Sequence, residues 1–174
     1  MENKDDRDND VGSEEVATTN TTKDTKSIDE LDSLKEDKSI VVAVLDSGLN
    51  AKEEIFDDRL IEGKNFADDS EKTDDVNGHG TVMSRIILDS VNDVNSNNNI
   101  KIMPLKVLND KGKGTTLSAY KGIKYAIEKN VDVINLSMSG IGHSKLLESA
   151  INDAVNHNIP VVVSAGNDNT VITD

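Results

Sequence analysis

The chain has 174 residues, with 33 Asp and Glu against 19 Lys and Arg for a formal net charge of −14, and it contains no Cys. That length suits one domain with a real core. The missing Cys excludes disulfides, thiolate metal sites and a Cys nucleophile, and so acidic a surface repels phosphate backbones, which argues against nucleic acid as a partner.

Residues 1–38 hold 13 of the acids and 6 of the bases, with few large apolar side chains. Such a segment cannot bury enough surface to offset the entropy of ordering it, so it is expected to be an acidic disordered tail. Met1 opens onto Glu2-Asn3-Lys4-Asp5-Asp6, without the apolar stretch of a signal peptide. No apolar run approaches the ~20 residues of a membrane span. Phe56, Phe66, Tyr120 and Tyr125 are the full aromatic complement, so the core must rest on Val, Ile, Leu and Ala.

The character changes at Ser39. Ile40 to Leu45 is a continuous apolar run closed by Asp46-Ser47-Gly48. A short run without alternation predicts a strand buried on both faces, as in a parallel sheet. A polar loop is expected from Asp57 to Asn77, then a helix from Gly80 to about Ser90 with Met83, Ile86 and Ile87 on one side. An Asn-rich loop, Asn92 to Asn99, leads to a second strand, Lys101 to Leu108. The turn residues Asn109 to Gly114 predict a loop. Thr115 or Thr116 caps a helix to Lys129, with Leu117, Tyr120, Ile123 and Ile127 on one face. A third strand is expected over Val131 to Ser137. Ser144 caps a helix carrying Leu146, Leu147, Ala150, Ile151, Ala154 and Val155, which Asn158 and Pro160 end. A fourth strand follows from Pro160 to Ala165.

Strands alternating with helices of these lengths predict an α/β fold with a doubly wound, mostly parallel sheet. Ligands of such sheets bind beyond the carboxyl ends of the strands. Asp46, the Gly112–Gly114 loop, Ser137–Gly140 and Gly166–Asn167 fall at strand ends, and His79 opens the helix after the first strand. Five distant features thus converge on one edge.

Taken singly, each has an ordinary reading. Asp-Ser-Gly and Gly-Asn suit turns, and a His beside a helix start can simply be solvated. His157 complements the dipole at a helix C-terminus, and His143 lies in a polar loop. In a chemical reading, Asp46 can fix the tautomer of an imidazole, His79 between two glycines can act as general base, and the amide of Asn167 can donate to a developing oxyanion. Gly112-Lys113-Gly114-Thr115-Thr116 lacks the spacer and ending of a Walker motif, and no dinucleotide fingerprint occurs.

Together, Asp-Ser-Gly after a strand, Gly-His-Gly-Thr opening a helix and Ser-Ala-Gly-Asn at a later strand end resemble the subtilisin-like (subtilase) serine peptidases. Leu105-Lys106-Val107-Leu108 followed by Gly112-x-Gly114 resembles the family's strand and substrate loop, and Val133 to Met138 its substrate-binding strand. The resemblance covers roughly residues 39–170. It implies a serine endopeptidase in which Asp46 orients the imidazole, His79 is general base and then general acid, and Asn167 serves the oxyanion. It further implies that Ser137, Met138, Ser139 and Gly140 pair with an extended polypeptide, opposite Gly112, Lys113 and Gly114. Ala165 and Gly166 would wall the first specificity pocket. The family is often secreted, which contrasts with the start at Met1.

The match also fails in places. The family's nucleophile sits in Gly-Thr-Ser, a triplet absent from these 174 residues. Family members commonly have Gly where Ser139 stands. The resemblance makes calcium possible, but the stretch Val91 to Ile100 is shorter than the calcium loop of many relatives, so no metal or cofactor is expected from this sequence. Residues 39–174 therefore read as a C-terminally incomplete peptidase domain, expected to be a monomer and inactive by itself. The other readings are a natural inactive peptide-binding module, or one working with a separate serine-bearing chain, and an unrelated nucleotide-binding domain.

Overall fold

A computed structural model describes residues 39–68, 70–92, 99–138 and 144–166. The acidic segment 1–38, and with it the expected disorder, lies outside the described residues. The apolar run forms strand β1 (Ile40–Asp46), whose last five residues are buried. A single 3-10 turn, Glu54–Phe56, precedes the two-residue strand β2 (Lys64–Asn65). Helix α1 (His79–Asn92), β3 (Ile100–Lys106), α2 (Thr116–Glu128), β4 (Val133–Leu136), α3 (Lys145–Asn156) and β5 (Val161–Val163) follow. The sheet order is β2-β3-β1-β4-β5, with every pairing parallel. β1 is the central strand, and its Asp46 is in register with Lys106 at the end of β3.

Helices cover both faces, as a doubly wound sheet requires. Ala43, Leu45, Met103, Leu105 and Ile134 pack against Ile123, Ala126, Ala150 and Ala154 of α2 and α3. On the other face Val42, Val44 and Ile102 pack with Leu88 of α1, together with Leu49 and Phe56. Burying each of the Val, Leu, Ile, Met and Phe side chains among them contributes about 1.5–3 kcal/mol. The helix ends are as the sequence predicts. Thr115 caps α2 in a reciprocal box with Ser118, and Ser144 caps α3. Asn130 and Asn158 just beyond these helices take left-handed φ of 52° and 59°, the usual stop.

Three details differ from the sequence reading. β2 lies inside the expected polar loop. Its pairing is brief because β3 turns residues 102, 104 and 106 toward that side, and Pro104 has no N–H to give. The Ile102 amide donates to Arg59 O, the Ile61 amide to Ile102 O and the Phe66 amide to Lys106 O, while Pro104 lies between them without a donor. The strands expected at 101–108, 131–137 and 160–165 are shorter at their carboxyl ends, where the chain turns away to build loops. The buried side of α1 is Gly80, Thr81, Ser84 and Leu88, while Ile86 is half-exposed. Leu117, Leu146 and Val155 are likewise exposed rather than core.

Candidate active site

The first turn of α1 is fastened to the end of β1. A helix start leaves its first amides without intrahelical acceptors, and here each finds one. The His79 amide donates to Asn77 Oδ1 at 3.4 Å, Gly80 to Ser47 Oγ at 3.0 Å, Thr81 to Asp75 Oδ2 at 2.9 Å and Val82 to Gly78 O at 3.1 Å. Two glycines permit this closeness. A Cβ on Gly80 would stand 2.3 Å from Gly48 O and 3.1 Å from Asp46 Cβ. Gly48 has φ +112°, and a Cβ there would meet Thr73 O at 2.3 Å.

This fastening brings His79 onto Asp46. Nδ1 of His79 lies 2.9 Å from both Oδ1 and Oδ2 of the carboxylate. Asp46 is fully buried, whereas the His79 side chain is 49% exposed. Asp46 Oδ1 also accepts from the Ser47 amide at 2.7 Å. A buried carboxylate needs such partners, since an unpaired one would be strongly disfavoured. The arrangement can hold an imidazole in one tautomer with its other nitrogen toward solvent.

Asp75 is a site residue that sequence reasoning missed. It accepts from Ser47 Oγ and the Gly78 amide with Oδ1, and from the Thr81 amide and hydroxyl with Oδ2, at 2.7–2.9 Å. Burial works to raise its pKa. Hydrogen bonds from the Thr81 hydroxyl and amide, the Gly78 amide and the Ser47 hydroxyl outweigh burial and hold the carboxyl below its ordinary value. The available signal was an Asp four residues before the His, next to a helix start.

The other expected site residues surround the same edge. Gly112, Lys113 and Gly114 lie in a loop closed by the Gly112 amide on Asn109 O and by an antiparallel bridge between Leu108 and Gly114. Asn77 Nδ2 donates to Asp110 O of that loop at 3.3 Å. Ser137 and Met138 continue from β4. Ser137 Oγ accepts from Asn135 Nδ2 at 2.8 Å, and Met138 O from Ser164 Oγ at 3.1 Å. Ala165 and Gly166 continue from β5, and Gly166 has φ +86°. Ser139, Gly140, His143 and Asn167 lie outside the described residues. His157 caps α3, its ring 2.8 Å from Asp153 O, and takes no part in this edge. A hollow of about 510 Å³ between α2 and α3, lined by Tyr120, Lys124, Glu148 and Asp153 among others, shares no residue with the site.

No helix among the described residues is long and apolar enough to cross a membrane. The model of the subtilase family matches residues 37–173. The intracellular serine protease of Paenibacillus polymyxa is 36% identical over 141 residues, covering 75% of this chain and 42% of that protein. The major intracellular serine protease of Bacillus subtilis (strain 168) is 35% identical over 141 residues, covering 75% and 44%. A crystal structure of a cold adapted subtilisin-like serine proteinase superimposes with a TM-score of 0.62 at 30% identity, over 76% of this chain and 48% of that one. The chain thus spans less than half the length of these relatives. With its parallel sheet, its Asp46–His79 contact and a family match from residue 37 to residue 173, the chain belongs to the subtilase family.

Proposed function

We propose that this chain supplies the general base and its orienting carboxylate to a serine endopeptidase. The observation that carries the reading is the pair itself, a fully buried carboxylate 2.9 Å by both oxygens from Nδ1 of a half-exposed imidazole. Donation to Asp46 makes Nδ1 the protonated nitrogen and leaves Nε2 basic. Nε2 takes the proton of a serine hydroxyl as that oxygen attacks a peptide carbonyl, and then returns it to the leaving amine. Asp46 keeps the ring oriented and stabilises the imidazolium between the two transfers. Asn167 donates to the oxyanion of the tetrahedral intermediate. The chemistry uses side chains alone.

The serine comes from polypeptide outside these 174 residues. No Gly-Thr-Ser occurs in the sequence, and the Ser47 hydroxyl is buried and engaged by Asp75 and Gly80. The substrate is an extended polypeptide, paired along Ser137, Met138, Ser139 and Gly140 as an added strand. Gly112, Lys113 and Gly114 face it from the other side, and Ala165 and Gly166 wall the pocket for the residue before the cleaved bond.

The absent triplet also favours a second reading, a module that binds peptides on the same edge without turnover. A fluorophosphonate probe separates the two. No serine of the 174 residues is expected to label. In a polypeptide carrying these residues together with a Gly-Thr-Ser segment, one serine labels, and His79→Ala abolishes it. Turnover falls with that variant by several orders of magnitude, the size of loss established for subtilisin itself. Labelling of a serine within the 174 residues would place the nucleophile here instead. Peptide binding with no labelling in either polypeptide selects the second reading.

A further inference from the structure

Lys106 is a buried cation that the proposed chemistry does not use. Its side chain is 4% exposed at the end of β3, beside Asp46 in the strand register. Taking an ammonium out of water is disfavoured by several kcal/mol unless it is fully partnered. Among the described residues it has three acceptors, as many as an ammonium has hydrogens. Nζ donates to Ser47 O at 2.6 Å, to Asp74 O at 3.2 Å and to Asp110 Oδ1 at 3.1 Å.

Each acceptor sits in a different segment. Ser47 is the turn after Asp46. Asp74 is in the stretch that leads, through Asp75 and Gly78, to His79. Asp110 is in the loop that carries Gly112, Lys113 and Gly114. The first two acceptors are backbone carbonyls on the side of the Asp46–His79 pair. The third is a carboxylate whose side chain is 59% exposed. An aliphatic side chain could fill the same space without the desolvation penalty, but it could not aim bonds in three directions.

We propose that Lys106 is a positioning residue, whose link to Asp110 fixes the 109–114 loop relative to the Asp46–His79 pair. This deepens the peptidase reading and rests on it for the assignment of that loop to substrate. The base of the loop is tied to the pair through the Val107 and Leu108 amides, which donate to Asp46 O at 2.8 and 3.1 Å, but beyond it the remaining ties from residues 109–114 are thin. The Asn77 Nδ2 contact with Asp110 O is long at 3.3 Å, and the Leu108–Gly114 bridge closes the loop on itself rather than onto His79. The Lys106–Asp110 pair is the charged member of the set, and hydrogen bonds to ionised groups are about twice as strong as neutral ones.

Amide hydrogen exchange on the protein tests this without any catalytic readout, so a failed peptidase assignment and a failed positioning role give different results. Asp110→Ala is the first variant, because Asp110 is mostly exposed and its loss spares the fold. Exchange at Lys111, Gly112 and Lys113 is expected to rise roughly tenfold, the factor for losing one charged hydrogen bond of about 1.4 kcal/mol. The amides of β1 and β4 keep their protection. Asp110→Glu, which keeps a carboxylate within reach, restores most of the loop protection. Lys106→Met extends the loss to residues 74–78. Unchanged loop exchange in Asp110→Ala would overturn the proposal, as would equal exchange in the Ala and Glu variants. A uniform rise over the whole sheet in Lys106→Met, with the loop no more affected than β1, would reduce Lys106 to a packing residue and overturn it too.

Discussion

The hydroxyl of Ser47 donates to Oδ1 of Asp75 at 2.8 Å, while the same oxygen accepts from the Gly80 amide at 3.0 Å. One side chain therefore joins the neighbour of Asp46 to the neighbour of His79. The imidazole is held from the backbone on both sides of it, through groups that never touch the ring.

Ser47→Ala removes the acceptor of the buried Gly80 amide and one donor to Asp75. Leaving such groups unpaired costs about 1–3 kcal/mol. The urea midpoint is expected to fall by the corresponding amount with an unchanged slope. A midpoint equal to that of the parent protein would show that water replaces the hydroxyl at no loss.

Acid should loosen the same corner. The Asp75 carboxyl titrates below its ordinary 3.8 in the folded protein, and at its ordinary value in the unfolded chain. A depressed folded pKa gives stability that is full above the unfolded value and lost as pH falls through the folded one. Denaturation of the parent and of Asp75→Asn, compared from about pH 5 down to about pH 2, should therefore show two curves that converge at the acid end. Parallel curves would mean that Asp75 adds nothing through its charge.

Gly80→Ala sets helix propensity against packing. In an exposed helix interior, Ala would be favoured over Gly by about 1 kcal/mol. At Gly80 the added methyl would lie 2.3 Å from Gly48 O, and overpacking of this kind costs about 1–3 kcal/mol. The variant is expected to be less stable. A higher melting temperature would show that α1 approaches β1 less closely than described.

Ser84→Ala should act in the opposite direction. The Ser84 hydroxyl is buried on α1 with no hydrogen-bond partner among the described residues. Its removal relieves an unsatisfied group and places a better helix former in the helix interior. A gain of about 1 kcal/mol in denaturant unfolding is expected. A loss of that size would reveal a partner for the hydroxyl.

Much of the frame is legible from the residues. Ile40 to Leu45 reads as a doubly buried strand because it has no polar alternation, and Thr115 and Ser144 mark helix starts because their side chains cap them locally. Asp46 and His79 stand out through the spacing of the motifs around them. What escaped depends on contacts made across segments. Lys64-Asn65 is polar and brief, and only its position beside Leu105 and Lys106 makes it a strand. The buried side of α1 is legible only in part: Ile87 packs on the core, but the close approach of the first turn selects Gly80 and Thr81, and Ile86 stays half-exposed. Ser47, Asp75 and Lys106 look like ordinary turn and strand-end residues until their partners, some of them 28 to 59 positions away, are known.

The place of β1 at the middle of the sheet bears on how the molecule comes into being. Both neighbours of β1 stand later in the chain, so a nascent polypeptide presents residues 46 and 79 to solvent before either flanking strand has left the ribosome. Pairing that must wait for later strands adds non-local contacts, which slow folding. Until β3 and β4 pair with it, β1 has no sheet on either side to bury the acid beside the imidazole.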